Sequence, residues 1–177
     1  MGIESEKISR FCITDWRTVE YNDYSIKTWR TLLIYLDTSA LAPFYWREAL
    51  SEVIDDLLSN EPEPALSQLV EVELFSALSR RVRMGEISQE AAQAIANRFQ
   101  SDMDNGFYRH LTVESIHYTL ARDWIARFEV PLRSLDALHL AIAFSPEIPL
   151  VTADAGLAAS ATALGVTAQI VRPLTNG

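Results

Sequence analysis

The amino-acid sequence predicts an α/β protein, a three-layer α/β/α sandwich whose parallel sheet is doubly wound. Short apolar runs alternate with longer stretches of helical character along residues 32–172. Parallel strands that are covered by helices on both faces are buried, and they therefore appear in a sequence as continuous apolar runs. One of these runs ends directly at an aspartate and another leads into one. In open α/β sheets, ligands bind beyond the carboxyl ends of the strands.

The predicted strands are short and are bounded by turn residues. The first is the run LLIYL at residues 32–36, which ends at Asp37. Pro62 and Pro64 are expected to break the chain before a short strand at residues 65–66. Further strands are expected at residues 108–113, at 149–154, where the strand passes into a turn, and at 167–171.

The predicted helices are separated by Gly, Pro and Asn-Gly signals. Ser67 is expected to cap a helix that ends before Gly85, and Ser88 is expected to start the next helix, which Asn105 and Gly106 end. The full set of predicted helices covers residues 46–59, 67–83, 88–104, 114–128, 134–144 and 155–164.

The chain of 177 residues is long enough for one compact domain, which we assign to residues 31–177. Residues 1–30 lack sustained periodicity and are predicted to form an N-terminal extension. No apolar run approaches the roughly 20 residues that a membrane helix needs, so a soluble protein is expected. Cys12 is the only cysteine, which suits a reducing compartment and predicts a cytoplasmic location.

The net charge of −9 has the wrong overall sign for a nucleic-acid binder, because phosphate contacts are normally made by Lys and Arg. Basic residues do cluster at Arg80, Arg81 and Arg83, which are the best candidates for contacting RNA or a protein partner. A solvated helix end accounts for them as well. An acidic chain is also suited to a basic partner.

Four carboxylates stand in apolar stretches of the sequence, where an unpaired charge is unfavourable. Asp37 follows LLIYL, Glu73 lies inside LVEVELFSAL, Asp136 lies inside SLDALHLAIAF, and Asp154 follows PLVTA. Each has a structural alternative. Asp37 is also consistent with a turn, Asp136 and Asp154 with helix capping or the helix dipole, and Glu73 with an arginine pair.

If the four acids converge, adjacent carboxylates about 4 Å apart repel by roughly 4 kcal/mol per pair at an effective dielectric near 20. A bound cation would cancel this repulsion. Ligation by oxygen alone is typical of hard cations, so Mg²⁺ or Mn²⁺ is the expected metal. Such a site suits hydrolysis of phosphodiester bonds.

Four segments, in their order along the chain, resemble those of the PIN-domain nucleases and, within them, the VapC-like toxins of type II toxin–antitoxin pairs. They are YLDTSAL at 35–41, SQLVEVELFSALSRR at 67–81, LRSLDALHLAIA at 132–143 and LVTADAGLAASATALGV at 150–166. Each segment carries one of the four acids. The resemblance covers residues 32–172 and departs from the family pattern at the front, where these toxins begin almost at the first strand.

The resemblance implies a Mg²⁺- or Mn²⁺-dependent endoribonuclease, an RNA substrate, a small cognate antitoxin in the active-site groove and a homodimer. It also implies that Asp37 and Asp136 contact the metal most directly, while Glu73 and Asp154 act through waters or a second metal position. Hydroxyls beside these acids are candidates for hydrogen bonds to metal waters or phosphate, or for turn residues. They belong to Thr38, Ser39 and Thr152.

Two other residues near Asp136, His139 and Arg133, have a functional and a structural interpretation. His139 shares a helical face with Asp136, but that face is predicted to be core, so a structural role is preferred to metal binding or proton transfer. Arg133 is expected either to orient the Asp136 carboxylate or the phosphate, or to form a surface ion pair.

Two rival functions are compatible with an acid after the first strand or with a PIN-like sequence. A phosphate-transfer enzyme of the haloacid-dehalogenase type fits poorly, because that chemistry needs a second acid two residues after Asp37, where Ser39 stands. The other rival is a PIN-like module that binds RNA or protein without cleaving.

Overall fold

The computed structural model describes residues 33–59 and 63–173. The predicted extension at residues 1–30, together with Cys12 and Pro62, lies outside them. The described strands are β1 (Ile34–Leu36), β2 (Pro64–Ser67), β3 (Arg109–Leu111), β4 (Leu150–Thr152) and β5 (Ala168–Ile170). The described helices are α1 (Thr38–Tyr45), α2 (Ser51–Ser59), α3 (Gln68–Arg83), α4 (Gln89–Asp104), α5 (Ser115–Ile125), α6 (Ser134–Phe144) and α7 (Ala155–Leu164).

The five strands form one parallel sheet in the order β3-β2-β1-β4-β5. The chain winds outward from β1 through β2 to β3, and it then returns to place β4 on the other side of β1. Strand order therefore reverses between β1 and β4, which is where a doubly wound sheet forms its ligand crevice. The predicted three-layer α/β/α sandwich is confirmed.

The core lies around the central strands β1, β2 and β4, all of whose residues are buried. Helix α6 contributes an unbroken buried run, residues 137–143. A helix that is apolar on all sides is expected to be surrounded by other elements, and α6 packs against α5 and β4. The edge strands β3 and β5 are partly exposed, unlike the buried strands that the sequence patterns predicted.

The predicted helix at residues 46–59 is wrong in its start. Helix α1 begins directly after Asp37, whose carboxylate caps it, and Trp46 ends it in an extended conformation. Pro43 lies inside this short helix, so the sequence around it did not look helical. The second helix begins only at Ser51, whose hydroxyl donates to the carbonyl of Pro43 at 2.7 Å and fixes the turn.

Two other predicted boundaries are corrected by the backbone. Pro64 is the first residue of β2 rather than a break before it, a position at which a strand tolerates proline. Ser67 stands at the N-cap of α3 but makes no capping hydrogen bond, because its hydroxyl bonds to the phenol of Tyr35 instead. None of the described helices is long and apolar enough to cross a membrane.

Helix α6 offers a test of where stability originates. Leu140 is fully buried, whereas Leu135 on the same helix is 47% exposed. We expect Leu140→Ala to lower the free energy of unfolding by about 2–5 kcal/mol, because it leaves a cavity. Leu135→Ala, the matched control, should change it by less than about 1 kcal/mol. Urea unfolding followed by circular dichroism measures both, and equal effects would contradict the central position of α6.

Candidate active site

All four predicted acids line one groove of about 580 Å³. The groove lies at the carboxyl ends of β1 and β4, where strand order reverses. Asp37 follows β1, Asp154 lies two residues beyond β4, Asp136 is in the first turn of α6, and Glu73 is inside α3. The fold therefore brings together residues that are separated by more than a hundred positions in the chain.

Asp37 is the most buried of the four acids, at 4% exposure. Its Oδ1 accepts hydrogen bonds from the Ser39 hydroxyl at 2.7 Å and from the Ala40 amide at 2.9 Å, while Oδ2 accepts from the Thr152 hydroxyl at 2.6 Å. Burial raises the pKa of Asp37, and the hydrogen bond from Thr152, the charge of His139 and the other hydrogen bonds offset only part of that rise. The carboxylate is thus firmly held but unfavourably desolvated.

The hydroxyls beside the acids bond to the acids themselves. Ser39 and Thr152 donate to Asp37, and Thr38 donates to Glu73 at 2.5 Å. The Thr152 oxygen also accepts the Asp154 amide at 2.9 Å. These hydroxyls therefore orient the carboxylates, and Thr152 and Ser39 also accept backbone amides of the turn after β4, as the turn alternative predicted.

Glu73 pairs with a histidine rather than with the arginine that the sequence left open. Its Oε2 lies 2.9 Å from His139 Nε2 and also accepts the Thr38 hydroxyl. Burial acts to raise the pKa of Glu73, but the hydrogen bond and charge of His139 together with the Thr38 hydroxyl outweigh it, so the pKa is lowered. The carboxylate is therefore stabilised in its charged form.

Asp154 and Asp136 are more accessible. Asp154 is exposed and caps α7, with Oδ1 accepting the amides of Gly156 at 2.7 Å and Leu157 at 3.1 Å. The capping alternative is therefore observed, and it uses one oxygen. Asp136 is partly exposed and makes no hydrogen bond or ion pair with another described residue. Three of the four acids, including Asp37, lie at helix N-termini, where the helix dipole favours negative charge.

Sequence reasoning missed the groups behind Glu73. His139 is buried, as its apolar helical face predicted, but its two ring nitrogens contact Glu73 and the phenol of Tyr35. Tyr35 lies in the middle of β1, where it appeared to be a core residue of an apolar run. No sequence signal distinguished this tyrosine from a packing residue.

The groove carries a marked excess of negative charge. Its lining includes six carboxylates and only two guanidinium groups. Arg81 contacts Glu48 at 2.9 Å and Glu86 at 3.4 Å and lies over the Trp46 ring, so its charge is already paired. Arg80 is exposed, lines the groove and has no hydrogen bond or ion pair to any other described residue.

The other candidate cations contribute less to the groove. Arg83 donates to Ser79 at 2.7 Å and is not part of the lining. Arg133 is exposed at the N-cap of α6, and within the described part of the chain it contacts neither Asp136 nor another acid. Neither a contact of Arg133 with Asp136 nor a surface ion pair is therefore observed, and a contact of Arg133 with a phosphate stays a prediction.

The donors of the groove fit a hard cation in their chemistry. Carboxylate oxygens suit Mg²⁺ or Mn²⁺, and a nearby positive charge would favour the ionised form of the buried Asp37. Across residues 33–59 and 63–173, however, no three His, Cys, Asp or Glu side chains form a group that could hold a metal ion. The protein side chains alone do not make a complete ligand cage.

The raised pKa of Asp37 predicts a stability effect with a definite sign. As the pH rises above about 3.9, Asp37 ionises in the unfolded chain before it ionises in the folded chain. The free energy of unfolding therefore falls until the pH has passed the folded pKa of Asp37, and it stays lowered at neutral pH. We therefore expect Asp37→Asn to raise the urea midpoint at pH 7.5 in chelator, with a smaller gain at pH 4.

Asp123→Asn is the matched control, because that acid is exposed and pairs with Arg122 on α5. Its effect on the urea midpoint should be small at both pH values. A midpoint for Asp37→Asn at pH 7.5 that is equal to or lower than that of the wild type would contradict the unfavourable burial of this carboxylate.

Comparison with known proteins agrees with this geometry. The PIN domain family model matches residues 34–162. Ribonuclease VapC1 of Mycobacterium tuberculosis is 34% identical over 111 residues, which cover 63% of this chain and 74% of that protein.

Two solved structures share the fold. One is VapC20 of Mycobacterium tuberculosis, described as a Sarcin-Ricin loop cleaving toxin, with a TM-score of 0.60 and 24% identity over 79% of this chain and 99% of that chain. The other is VapBC2 of Rickettsia felis bound to a promoter DNA fragment, with a TM-score of 0.58 and 14% identity over 79% of this chain and 99% of that chain. The family match includes all four groove acids, and the chain belongs to the PIN-domain family.

Proposed function

We propose that this chain is an endoribonuclease that depends on Mg²⁺ or Mn²⁺ and acts as the toxin of a toxin–antitoxin pair. The observation that carries the proposal is the convergence of Asp37, Glu73, Asp136 and Asp154 on one groove at the switch point of a PIN-domain sheet. The 34% identity to a protein named Ribonuclease VapC1 supports RNA as the substrate.

Asp37 and Asp136 are the residues that would hold the cation most directly, with Glu73 and Asp154 in support. When bound, such a cation supplies positive charge to the phosphate and lowers the pKa of a water that can attack it. The chain itself orients the acids. Asp37 is fixed on both oxygens, and Asp154 is fixed on one.

Arg80 is proposed to bind a phosphate of the RNA next to the acids. Its guanidinium is unpaired within the described chain and lines the groove, whereas that of Arg81 is engaged by two glutamates. A planar guanidinium can contact two phosphate oxygens at once. The three arginines that are close together in the sequence thus differ in their contacts, and within the described part of the chain only Arg80 of the three has a free charge in the groove.

The proposed partners follow from the same groove. Its excess of carboxylates suits a basic segment of a small cognate antitoxin, and one solved structure of this fold is a toxin–antitoxin complex from Klebsiella pneumoniae. A homodimer and a cytoplasmic location are part of the proposal as well. The single-domain assignment to residues 31–177 remains a prediction.

One observation favours the alternative of a PIN-like module that binds without cleaving. No three-residue metal group is present among the side chains that the structure describes. A direct cleavage assay decides between the two functions.

We expect the purified chain to cut pooled bacterial RNA into discrete fragments with Mn²⁺ or Mg²⁺ and to leave it intact with chelator. Asp37→Asn should lower the rate by at least about a hundredfold, because several kcal/mol of charge stabilisation are lost. Gel electrophoresis of the products measures this. Asp123→Asn, outside the groove, should cleave like the wild type. Equal inertness of wild type and Asp37→Asn, in folded samples that bind Mn²⁺, would support the binding module.

The role of Arg80 can be separated from general electrostatics by salt dependence. Arg80→Ala should weaken binding of single-stranded RNA and reduce the slope of log affinity against log salt by about one. Arg83→Ala removes the same charge from the same helix outside the groove and is the control. Fluorescence anisotropy at several salt concentrations measures both slopes. Identical slopes for the two variants would exclude a specific phosphate contact at Arg80.

A further inference from the structure

A run of buried polar side chains leads from the sheet to Glu73. The Ser67 hydroxyl lies 2.8 Å from the Tyr35 phenol, the phenol lies 2.8 Å from His139 Nδ1, and His139 Nε2 lies 2.9 Å from Glu73 Oε2. We call Ser67, Tyr35 and His139 the buried polar chain. It links the middle of β1, the end of β2, helix α6 and helix α3.

The buried polar chain lies in the protein interior, where apolar side chains could be buried without the cost of removing polar groups from water. Ser67 and Tyr35 are fully buried, and His139 is 4% exposed. Buried polar groups are unfavourable unless every one of them is hydrogen-bonded. Glu73, at the end of the series, has a side chain that is 21% exposed and lines the groove. The polar interior thus leads to one of the four groove acids.

One set of hydrogen-bond directions satisfies the whole series. With a neutral ring whose proton is on Nε2, His139 donates to Glu73, and its Nδ1 accepts from the phenol of Tyr35; a charged ring also donates to Glu73 from Nε2. Tyr35 is fully buried, and an uncharged phenol carries a proton that it can donate. The Tyr35 oxygen then accepts from Ser67. In this arrangement every donor points toward Glu73.

The result at Glu73 is asymmetric. Oε2 receives two hydrogen bonds, one from His139 and one from Thr38. Oε1 receives none from any described residue. One oxygen therefore anchors the carboxylate to the protein, and the other is left for a ligand in the groove.

We propose that Ser67, Tyr35 and His139 are positioning residues that hold Glu73 by Oε2 and keep Oε1 available to a cation in the groove. The inference rests on the proposed nuclease function, because it assumes that the groove binds a divalent cation. It assigns a task to a tyrosine and a serine that are not part of the groove lining. Groups that orient metal ligands in this way typically change metal affinity by about 10–100-fold when they are removed.

The test compares four variants of the full chain. Tyr35→Phe removes only the phenol oxygen, and His139→Leu removes both ring nitrogens. His139→Gln restores a side-chain N–H donor at about the same reach. Tyr108→Phe is the matched control. Like Tyr35, Tyr108 is buried and its phenol is hydrogen-bonded to another side chain, in this case the phenol of Tyr45 at 2.9 Å.

Calorimetric titration with Mn²⁺ alone is the primary measurement, and kcat and KM on an RNA oligonucleotide are the second. Tyr35→Phe and His139→Leu should bind Mn²⁺ about 10–100-fold more weakly and lose kcat with little change in KM. His139→Gln should recover part of both. Tyr108→Phe should match the wild type, and a merely structural role for the buried polar chain would not produce this pattern.

Several outcomes would overturn the positioning role. One is that Tyr35→Phe and His139→Leu bind Mn²⁺ as tightly as Tyr108→Phe does. Another is that His139→Gln and His139→Leu bind Mn²⁺ with equal affinity. A third is that the wild type does not bind Mn²⁺. If a variant loses stability, the Mn²⁺ affinities of His139→Gln and His139→Leu, two variants of the same buried site, decide whether the positioning role holds. A wild type that cleaves RNA while all variants bind Mn²⁺ equally keeps the nuclease and removes the positioning. If the wild type binds Mn²⁺ but does not cleave RNA, and the variants bind Mn²⁺ more weakly, the positioning role is kept and the nuclease function is removed.

Discussion

The side-chain hydrogen bond from Thr152 to Asp37 joins the ends of the two central strands, and the geometry of the groove depends on this junction. Its length of 2.6 Å ties β4 to β1 where strand order reverses. The Thr152 oxygen also receives the amide of Asp154, and the Ser39 hydroxyl receives the amide of Ala153 at 2.9 Å. The turn that carries the fourth acid is therefore built on the residues that hold the first.

This junction explains why a buried carboxylate can persist in the centre of the fold. Asp37 has three hydrogen-bond donors and caps α1, yet burial still raises its pKa. A site of this kind gives up some folding stability and keeps a group that a positive charge would stabilise. Glu73 shows the opposite balance, because His139 and Thr38 already favour its ionised form. Two carboxylates in one groove thus differ in how much they would gain from a cation.

Sequence reasoning succeeded where a local pattern has one structural meaning. Continuous apolar runs predicted the parallel sheet, and Gly85, which has a positive φ just beyond α3, marked a helix end correctly. It failed at α1, because Pro43 hid a helix that depends on the Asp37 cap. The edge strands were also misjudged, since burial of an edge depends on neighbours that a single segment does not specify.

The candidate site shows the same division. The four acids were found because each interrupts an apolar stretch, and the family pattern ordered them. The contacts that orient them were not predictable, because Tyr35 and His139 are 104 residues apart and each fits an apolar helix or strand face. Spacing along the chain carries no information about such a pair. Only the packing of α6 against the sheet brings the two together.

Charge limits what can occupy the groove. Six carboxylates against two guanidinium groups, one of them already paired, repel an RNA phosphate unless positive charge is added. A divalent cation and the basic side chains of a protein partner are both able to supply that charge, and both would use the same carboxylates. Occupation by one therefore opposes occupation by the other. In the proposed toxin, this competition alone would allow an antitoxin to suppress RNA cleavage without any change in the fold.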